Sequence, residues 1–218
     1  MIQLSNFEKS FKSKKVFDNV NYEFKDNLFY GLIGDSGSGK TTLLRLISLL
    51  DNDYNGVLGI NGQDRKNVSK KEQERIRTST FGYVFSDARL FDYLTIKENI
   101  ILPSVIQKKK YSEEHLLSLA KQRKAEDLLG RKEVSSLSQG EKQRVSILRA
   151  RLLDNPVLIC DEPTAHLNEE LGKEITSLLA LACEKEKKLV IMATHDQSLT
   201  GFFNQVLLVG GGKLSEQR

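Results

Sequence analysis

Residues 34–41 carry a spacing that is suited to binding phosphate. The run Gly-Asp-Ser-Gly-Ser-Gly-Lys-Thr fits the pattern G-x-x-x-x-G-K-[ST] and lies between an apolar run and a helical pattern. Glycines let backbone N–H groups turn toward phosphate oxygens, and the helix that follows presents its positive end to them. Lys40 would reach the outer phosphates of a nucleotide, and the Thr41 hydroxyl would coordinate Mg²⁺. The expected site comprises Gly34, Asp35, Ser36, Gly37, Ser38, Gly39, Lys40, Thr41 and Thr42.

Two adjacent carboxylates, Asp161 and Glu162, follow the apolar run 157–160. A buried parallel strand would place them at the carboxyl edge of a sheet, beside the phosphate loop. We expect Asp161 to hold the Mg²⁺ shell and Glu162 to polarise the water that attacks the γ-phosphate. Taken alone, this segment would suit two solvated carboxylates at a strand end. The phosphate loop favours the catalytic interpretation.

The elements that must position these groups are short apolar runs followed by helical patterns. This alternation is typical of an α/β protein with a mostly parallel central sheet. Strands are predicted at residues 28–33, 157–160 and 189–193, and the last is nearly continuous in apolar residues, as a strand covered on both faces should be. Each predicted helix has an apolar stripe. The stripes are Leu43, Leu46, Ile47 and Leu50 after the phosphate loop, and Leu171, Ile175, Leu178, Leu179 and Ala182 after the acids.

Two further segments differ from this alternation. Residues 2–24 alternate apolar and polar side chains in two runs, which predicts an antiparallel β portion at the edge. Residues 104–130 are amphipathic and helical in pattern, which predicts a helical lobe inserted between two parts of the sheet domain. No repeat or linker divides the chain, so we expect a single domain.

Composition agrees with an ordinary globular protein that needs no membrane span of its own. Of the 218 residues, 39% are hydrophobic and 28% are charged, and the net charge of +4 argues weakly for an anionic partner such as a nucleotide. No nucleic-acid partner is expected. No apolar run approaches the ~18 to 20 residues of a membrane-spanning helix, so we expect a soluble, cytoplasmic chain. Cys160 and Cys183 fit no metal or redox spacing and are expected to be reduced and buried.

Residues 137–144 carry a third motif. Their sequence, Leu-Ser-Gln-Gly-Glu-Lys-Gln-Arg, resembles the ATP-binding-cassette (ABC) signature L-S-G-G-Q-x-Q-R, and it precedes Asp161 as in that family. His195, in Ala-Thr-His-Asp after a strand, matches the family's switch histidine. The resemblance covers essentially the whole chain. The short length and residues 43–51 look most like the lipoprotein-release, macrolide-efflux and antimicrobial-peptide (bacteriocin) export group.

The resemblance implies an α/β P-loop NTPase fold, with one ABC ATPase domain over residues 1–218 and a helical lobe at about 97–150 inserted in a RecA-like core. It implies a homodimer with MgATP at the interface, each ATP lying between the phosphate loop of one copy and the signature of the other. The residues implied to bind in trans are Ser138, Gln139, Gly140 and Glu141. Phe11 matches the adenine-stacking aromatic, with Val16 close behind it, and His195 would contact the γ-phosphate.

Transporter ATPases of this family work with an integral-membrane permease at the inner face of the cell membrane, which the resemblance implies here. Some positions depart from the family pattern. Ser86 replaces a glutamine that coordinates Mg²⁺, so Ser86 would bind the metal through a water. Asn168 replaces an aspartate, and Gln139 and Glu141 alter the signature. Two alternatives stay open: a soluble ABC ATPase, and a regulatory nucleotide sensor with weak turnover.

Overall fold

Five parallel strands lie side by side in the computed structural model, which describes residues 1–12, 14–122, 125–131 and 133–217. They are β3 (Phe29–Ile33), β6 (Phe81–Val84), β7 (Val157–Asp161), β8 (Leu189–Thr194) and β9 (Gln205–Gly210), and β10 (Lys213–Glu216) adds an antiparallel edge. The order across this sheet is β10-β9-β3-β8-β7-β6. All three strands predicted from apolar runs are confirmed, and β8 is buried at every position.

The expected antiparallel portion is present and forms a sheet of its own. It contains β1 (Ile2–Phe11), β2 (Lys14–Phe24), β4 (Asn55–Ile60) and β5 (Gln63–Asp64), in the order β2-β1-β4-β5. The buried side chains of this sheet face the central sheet, and one continuous apolar core fills the space between the two. The alternation seen in the sequence therefore marks one face packed on a core and one in solvent.

Helix α1 (Lys40–Ile47) lies within that core, and α2 (Lys70–Thr80) packs beside it. Leu43, Leu46 and Ile47 are buried as predicted. The prediction for Leu50 was wrong: the helix has ended before it, and its side chain is 40% exposed. Leu49 adopts a left-handed conformation (φ 58°), and the N–H of Leu50 bonds the carbonyl of Arg45 at 2.8 Å, so the chain turns away before the stripe continues.

The opposite face of the central sheet is covered by α6 (Gln139–Arg151) and α7 (Glu169–Glu186). In α7 the predicted stripe is buried at Ile175, Leu178, Leu179 and Ala182, and Leu171 is half-buried. Cys160 and Cys183 are free and buried in this second core, as expected.

Between β6 and β7 the chain is helical. It forms α3 (Ile96–Ile106), α4 (Glu113–Lys121), α5 (Glu126–Leu129), a short 3₁₀ turn (Val134–Ser136) and α6. These helices share a third apolar core, which includes Ile100, Leu116, Leu128 and Leu148. Positions 123, 124 and 132 of the predicted lobe lie outside the described residues. No helix in the described ranges is both long and apolar enough to cross a bilayer.

Parallel strands bring their carboxyl ends to one edge of the sheet, where α/β proteins bind ligands. The loop after β3 is the phosphate loop, β7 ends at Asp161, and β8 ends at Thr194, just before His195. Ser86 follows the end of β6. Strand order thus gathers four distant segments of sequence at one edge.

Candidate functional site

The phosphate loop contains glycines whose backbone angles or close contacts disfavour a side chain. Gly37 and Gly39 have φ of 77° and 110°, in the region that side chains disfavour. A Cβ on Gly39 would lie 2.7 Å from Val16 Cγ1, and one on Gly34 would lie 2.3 Å from the carbonyl oxygen of Val209. The loop is therefore pressed against two neighbouring strands and held open at the start of α1, where backbone N–H groups favour an anion.

Lys40, the first residue of α1, is only 5% exposed. Its Nζ donates to the carbonyl oxygens of Gly34 at 2.7 Å and Asp35 at 3.1 Å, and it lies 3.4 Å from Glu162 Oε1. The ammonium thus contacts the backbone of its own loop and lies close to Glu162, the acid that directly follows β7. A buried cation in this position is the group that the outer phosphates of a nucleotide require.

Asp161 lies within hydrogen-bonding distance of two hydroxyls. Thr41 Oγ1 donates to its Oδ1 at 2.8 Å, and Tyr83 Oη lies 3.5 Å from its Oδ2. Burial raises the pKa of Asp161 above its ordinary value, and the neighbouring charge of Glu162 adds to this, whereas the Thr41 hydrogen bond opposes it. A bound cation would compensate the buried carboxylate.

Glu162 projects from a strained residue directly after β7. Its φ is 48°, and its N–H donates to the carbonyl of Ala193 at 3.1 Å, which fixes the backbone against the end of β8. Its Oε2 lies 2.9 Å from Nδ1 of His195. One carboxylate therefore faces a lysine with one oxygen and a histidine with the other, and the histidine side chain is 65% exposed toward solvent.

These groups surround one open cavity of about 760 Å³, a size typical of ligand pockets. The predicted site residues that line it are Phe11, Val16, Asp35, Ser36, Gly37, Gly39, Lys40, Thr41, Thr42, Ser86, Glu162 and His195. Gly34 and Ser38 lie behind this surface in the same loop, and Asp161 lies behind Thr41. The cavity is therefore framed by the base, phosphate and acid positions that the sequence predicts.

The chemistry of this cavity fits a nucleoside triphosphate with a divalent cation. The hydroxyl oxygen of Ser38, behind this surface, is buried and has no hydrogen-bond partner among the described groups. No group of three or more His, Cys, Asp or Glu side chains within the described ranges could hold a metal. Thr41 and Asp161 offer only two protein ligands, which suits Mg²⁺ because this ion keeps several waters and binds substrate phosphates.

The four residues predicted to bind in trans lie elsewhere. Ser138 is the N-cap of α6: its Oγ accepts from the N–H of Glu141 at 3.3 Å, and Glu141 Oε2 accepts from the N–H of Ser138 at 2.8 Å. Arg131 pairs with Glu141 at 3.0 Å. Neither these two residues nor Gln139 and Gly140 appear among the described residues that line the cavity. The signature is therefore a preformed helix start outside the cavity lining, and Gln139 lies in a small neighbouring pocket with Ser86 and His166.

Ser86 and Asn168, which differ from the family pattern, lie in different surroundings. Ser86 lines the cavity. Asn168 caps α7 by accepting from the N–H of Leu171 at 2.9 Å. An amide oxygen caps a helix as well as a carboxylate does, so this substitution leaves the start of α7 intact.

Sequence reasoning missed three residues at this edge. Lys14 and His166 line the cavity, and Tyr83 approaches Asp161 from β6. Tyr83 could have been found, because it lies between two buried residues on β6, the strand that precedes Ser86. Lys14 and His166 lie outside any motif, and only the fold brings them to the cavity.

Known proteins of one family are similar to this chain. The family model described as "ABC transporter" matches residues 17–165. The bacitracin export ATP-binding protein BceA of Halalkalibacterium halodurans is 30% identical, with 100% of this chain and 88% of the relative covered. The lipoprotein-releasing system ATP-binding protein LolD 1 of Rhodopirellula baltica is 31% identical, with 94% and 92% covered.

Solved structures of MJ0796 from Methanocaldococcus jannaschii are similar over the whole chain. One is the dimeric structure of this "Bacterial ABC Transporter Cassette", with 30% identity, a TM-score of 0.88, and coverage of 100% of this chain and 98% of that one. A second is a dimeric post-hydrolysis state bound to ADP and Pi, with the same identity, coverage and TM-score.

Proposed function

The chain belongs to the ABC transporter family as an ATP-binding subunit, and from this premise we propose that the cavity beside Lys40 binds MgATP and that Glu162 drives its hydrolysis. The ATPase activity follows from the family. Membership confirms the resemblance stated from the motifs, and relatives from bacitracin export and lipoprotein release agree with the suggested subgroup. The assignment of roles to individual residues is the proposal.

One observation supports this proposal. A buried ammonium, a hydroxyl–carboxylate pair and a carboxylate–histidine pair converge on one cavity at the end of three adjacent parallel strands. A structural salt bridge would explain the contact between Lys40 and Glu162. It would not explain why His195 and the Thr41–Asp161 pair adjoin the same space.

Binding is divided between the two ends of the cavity. Phe11 and Val16 receive the base, and the loop formed by Gly34, Asp35, Ser36, Gly37, Ser38, Gly39, Lys40, Thr41 and Thr42 receives the phosphates. Lys40 exchanges its contact with Glu162 for phosphate oxygens when ATP enters. Thr41 and Asp161 would hold Mg²⁺, and Ser86 would reach it through a water. When bound, the ion neutralises phosphate charge and orients the phosphate group that is transferred.

Glu162 accepts the proton of the attacking water. With Oε1 released by Lys40, this oxygen is free to act as the base, while Oε2 remains against His195. His195 positions the carboxylate through Nδ1 and presents its other ring nitrogen to the γ-phosphate. The strained backbone at Glu162 keeps the carboxylate at this distance from both partners.

We further propose a homodimer and a permease partner. MJ0796, which is similar over its whole length, is dimeric, and a second copy of this chain would bring Ser138, Gln139, Gly140 and Glu141 to the open side of the cavity. The helices at about 97–150 form a lobe inserted in the RecA-like core of one ABC ATPase domain, and this lobe faces the permease at the inner side of the membrane. The complex transports its substrate by export or by extraction from the membrane.

Substitution of Lys40 tests the proposal. Lys40→Met keeps the aliphatic stem in its buried setting and removes the ammonium, so ATP affinity should fall by roughly 10-fold to 150-fold, the effect of one charge-assisted hydrogen bond. The assays are calorimetric ATP binding and phosphate release by the purified chain. Lys97→Met is the matched control, because Lys97 pairs with Glu113 on an exposed helix surface. Equal ATP affinity in the two variants would refute the phosphate site.

A further inference from the structure

A lysine that no motif includes lies directly behind the aromatic ring at the base end of the cavity. Lys9 belongs to β1, on the face that packs on the core, and it is 3% exposed. Its Nζ stands over the ring of Phe11, 4.6 Å from the ring centroid. Phe11 itself is 50% exposed and lines the cavity. One face of the ring is thus occupied by a buried cation, and the exposed side borders the nucleotide cavity.

The cation is held in place by the loop that follows α1. Lys9 Nζ donates to the carbonyl oxygen of Asp53 at 2.5 Å, and it lies 3.0 Å from the carboxylate of Asp53 and 3.5 Å from that of Asp51. Three oxygens on one side and an aromatic face on the other fix the position of the ammonium. A lysine so placed carries no freedom to contact ligand, and it acts only through the ring.

The same loop is bonded to the phosphate-binding helix. The N–H of Asp51 donates to the carbonyl of Arg45 at 3.1 Å, at the end of α1, and Lys40 stands at the start of that helix. Lys9 therefore connects the strand that carries Phe11 with the helix that binds the phosphates. This connection fixes the distance between the base end and the phosphate end of the cavity.

We propose that Lys9 is a positioning residue for the nucleotide base: it holds the Phe11 ring by a cation–π contact and so prepares its other face to stack on adenine. The inference rests on the proposed function, in which Phe11 receives the base. A cation on one face attracts the negative π density of the ring, which weakens the repulsion that two aromatic faces otherwise experience when stacked. It also lowers the entropy cost of ATP binding, because the half-exposed ring is already ordered before ATP binds.

A double-mutant cycle with Lys9→Met and Phe11→Ala tests this role. The probes are ADP, which carries the base, and inorganic tripolyphosphate, which does not. Lys9→Met should weaken ADP roughly fivefold and leave tripolyphosphate unchanged, since a cation–π contact with a half-exposed ring has about that effect. In the Phe11→Ala background, Lys9→Met should weaken ADP no further, because the ring through which Lys9 acts is absent. Lys9→Arg should restore affinity, because a guanidinium also stacks on an aromatic face.

A second buried lysine supplies the control. Lys188 is 2% exposed and donates to the carboxylate of Asp154 at 2.6 Å and to the carbonyl of Asn155 at 2.8 Å, away from the cavity. Lys188→Met measures how far the loss of a buried ammonium alone affects ADP binding. If Lys9→Met does not fold, Lys9→Gln replaces it, because an amide still donates to the Asp53 carbonyl.

The outcomes separate the two proposals. Three results would overturn the role of Lys9. In the first, Lys9→Met weakens ADP and tripolyphosphate equally; in the second, it weakens ADP equally with and without the Phe11 ring. In the third, its effect on ADP is no larger than that of Lys188→Met. Unchanged ADP affinity in Phe11→Ala would overturn the base site and the Lys9 inference with it. The phosphate site would then be tested by the Lys40 variant alone.

Discussion

Replacing Glu162 with glutamine separates the binding of ATP from its hydrolysis. The amide has the size of the carboxylate and still reaches His195, which now lies 2.9 Å from Oε2. It has no basic oxygen to accept a proton from water. Loss of a general base lowers turnover by about 10² to 10⁴, which corresponds to roughly 3 to 5 kcal/mol in the barrier.

The same change should strengthen ATP binding. Glu162 Oε1 lies 3.4 Å from Lys40 Nζ, so in the free enzyme the carboxylate competes with phosphate for the lysine. Glu162 is 21% exposed, and solvent screening reduces such a pair to about 1 kcal/mol, which predicts an ATP affinity up to about fivefold higher in the variant. With turnover stopped, we expect ATP to remain between the two copies of the proposed dimer.

The assay is light scattering coupled to size exclusion, with phosphate release measured on the same samples. Glu162→Gln should be a monomer without nucleotide and with ADP, and a dimer with saturating ATP, because only ATP presents a γ-phosphate to the signature of the second copy. Glu184→Gln, at an exposed position in α7, matches the change in charge and should hydrolyse ATP normally. Normal hydrolysis by Glu162→Gln would show that another group is the base. A monomer at saturating ATP would refute the ATP-bridged dimer.

Three further changes probe the metal site, the loop and the scaffold. Burial raises the pKa of Asp161, so stability is lost as the pH rises from the ordinary Asp pKa through the raised pKa. Asp161→Asn should therefore raise the Tm of the nucleotide-free protein at neutral pH and abolish Mg²⁺-dependent turnover, measured by thermal melts and phosphate release. In Gly39→Ala the new Cβ would lie 2.7 Å from Val16 on a backbone with a φ of 110°, so the free energy of unfolding should fall by at least about 2 kcal/mol and ATP binding should be lost. An unchanged melting temperature would contradict the loop geometry. Lys187 ends α7 with φ 55°, so Lys187→Gly should stabilise the chain by about 0.5 to 1 kcal/mol with unchanged ATPase activity, and a lower Tm would contradict this.

Motif spacing predicted the chemical centre because local sequence determines most of its geometry. A strand, a glycine loop and a helix occur in immediate succession at residues 28–47, so the position of Lys40 follows from neighbouring residues alone. The same holds for Asp161 and Glu162 at the end of β7. The parallel order of the strands then brings these local units to one edge.

The features that were missed have no marker in the local sequence. The stripe of α1 was extended to Leu50 because a leucine, Leu49, occupies the left-handed position where glycine would have marked the end of the helix. Ala88 and Arg89 have φ of 58° and 45°, although neither residue favours this region. Arg149 of α6 donates to both of their carbonyls, at 2.5 and 2.6 Å. Such bonds, sixty residues away in sequence, leave no trace in the local pattern.

Arg149 also bears on how the two halves of the site communicate. The segment that contains Ser86 is bonded to α6 at two places: Gln143 donates to the carbonyl of Phe85 at 2.9 Å, and Arg149 holds the strained turn that follows. Helix α6 begins at Ser138, which the proposal places against the ATP of a second copy. These bonds connect the helix that starts at Ser138 with the segment at Ser86, which lines the cavity of its own chain. Because these bonds are made by α6 and the backbone of residues 85–89, they do not depend on the side chain at position 86, and the substitution of glutamine by serine leaves this mechanical link in place.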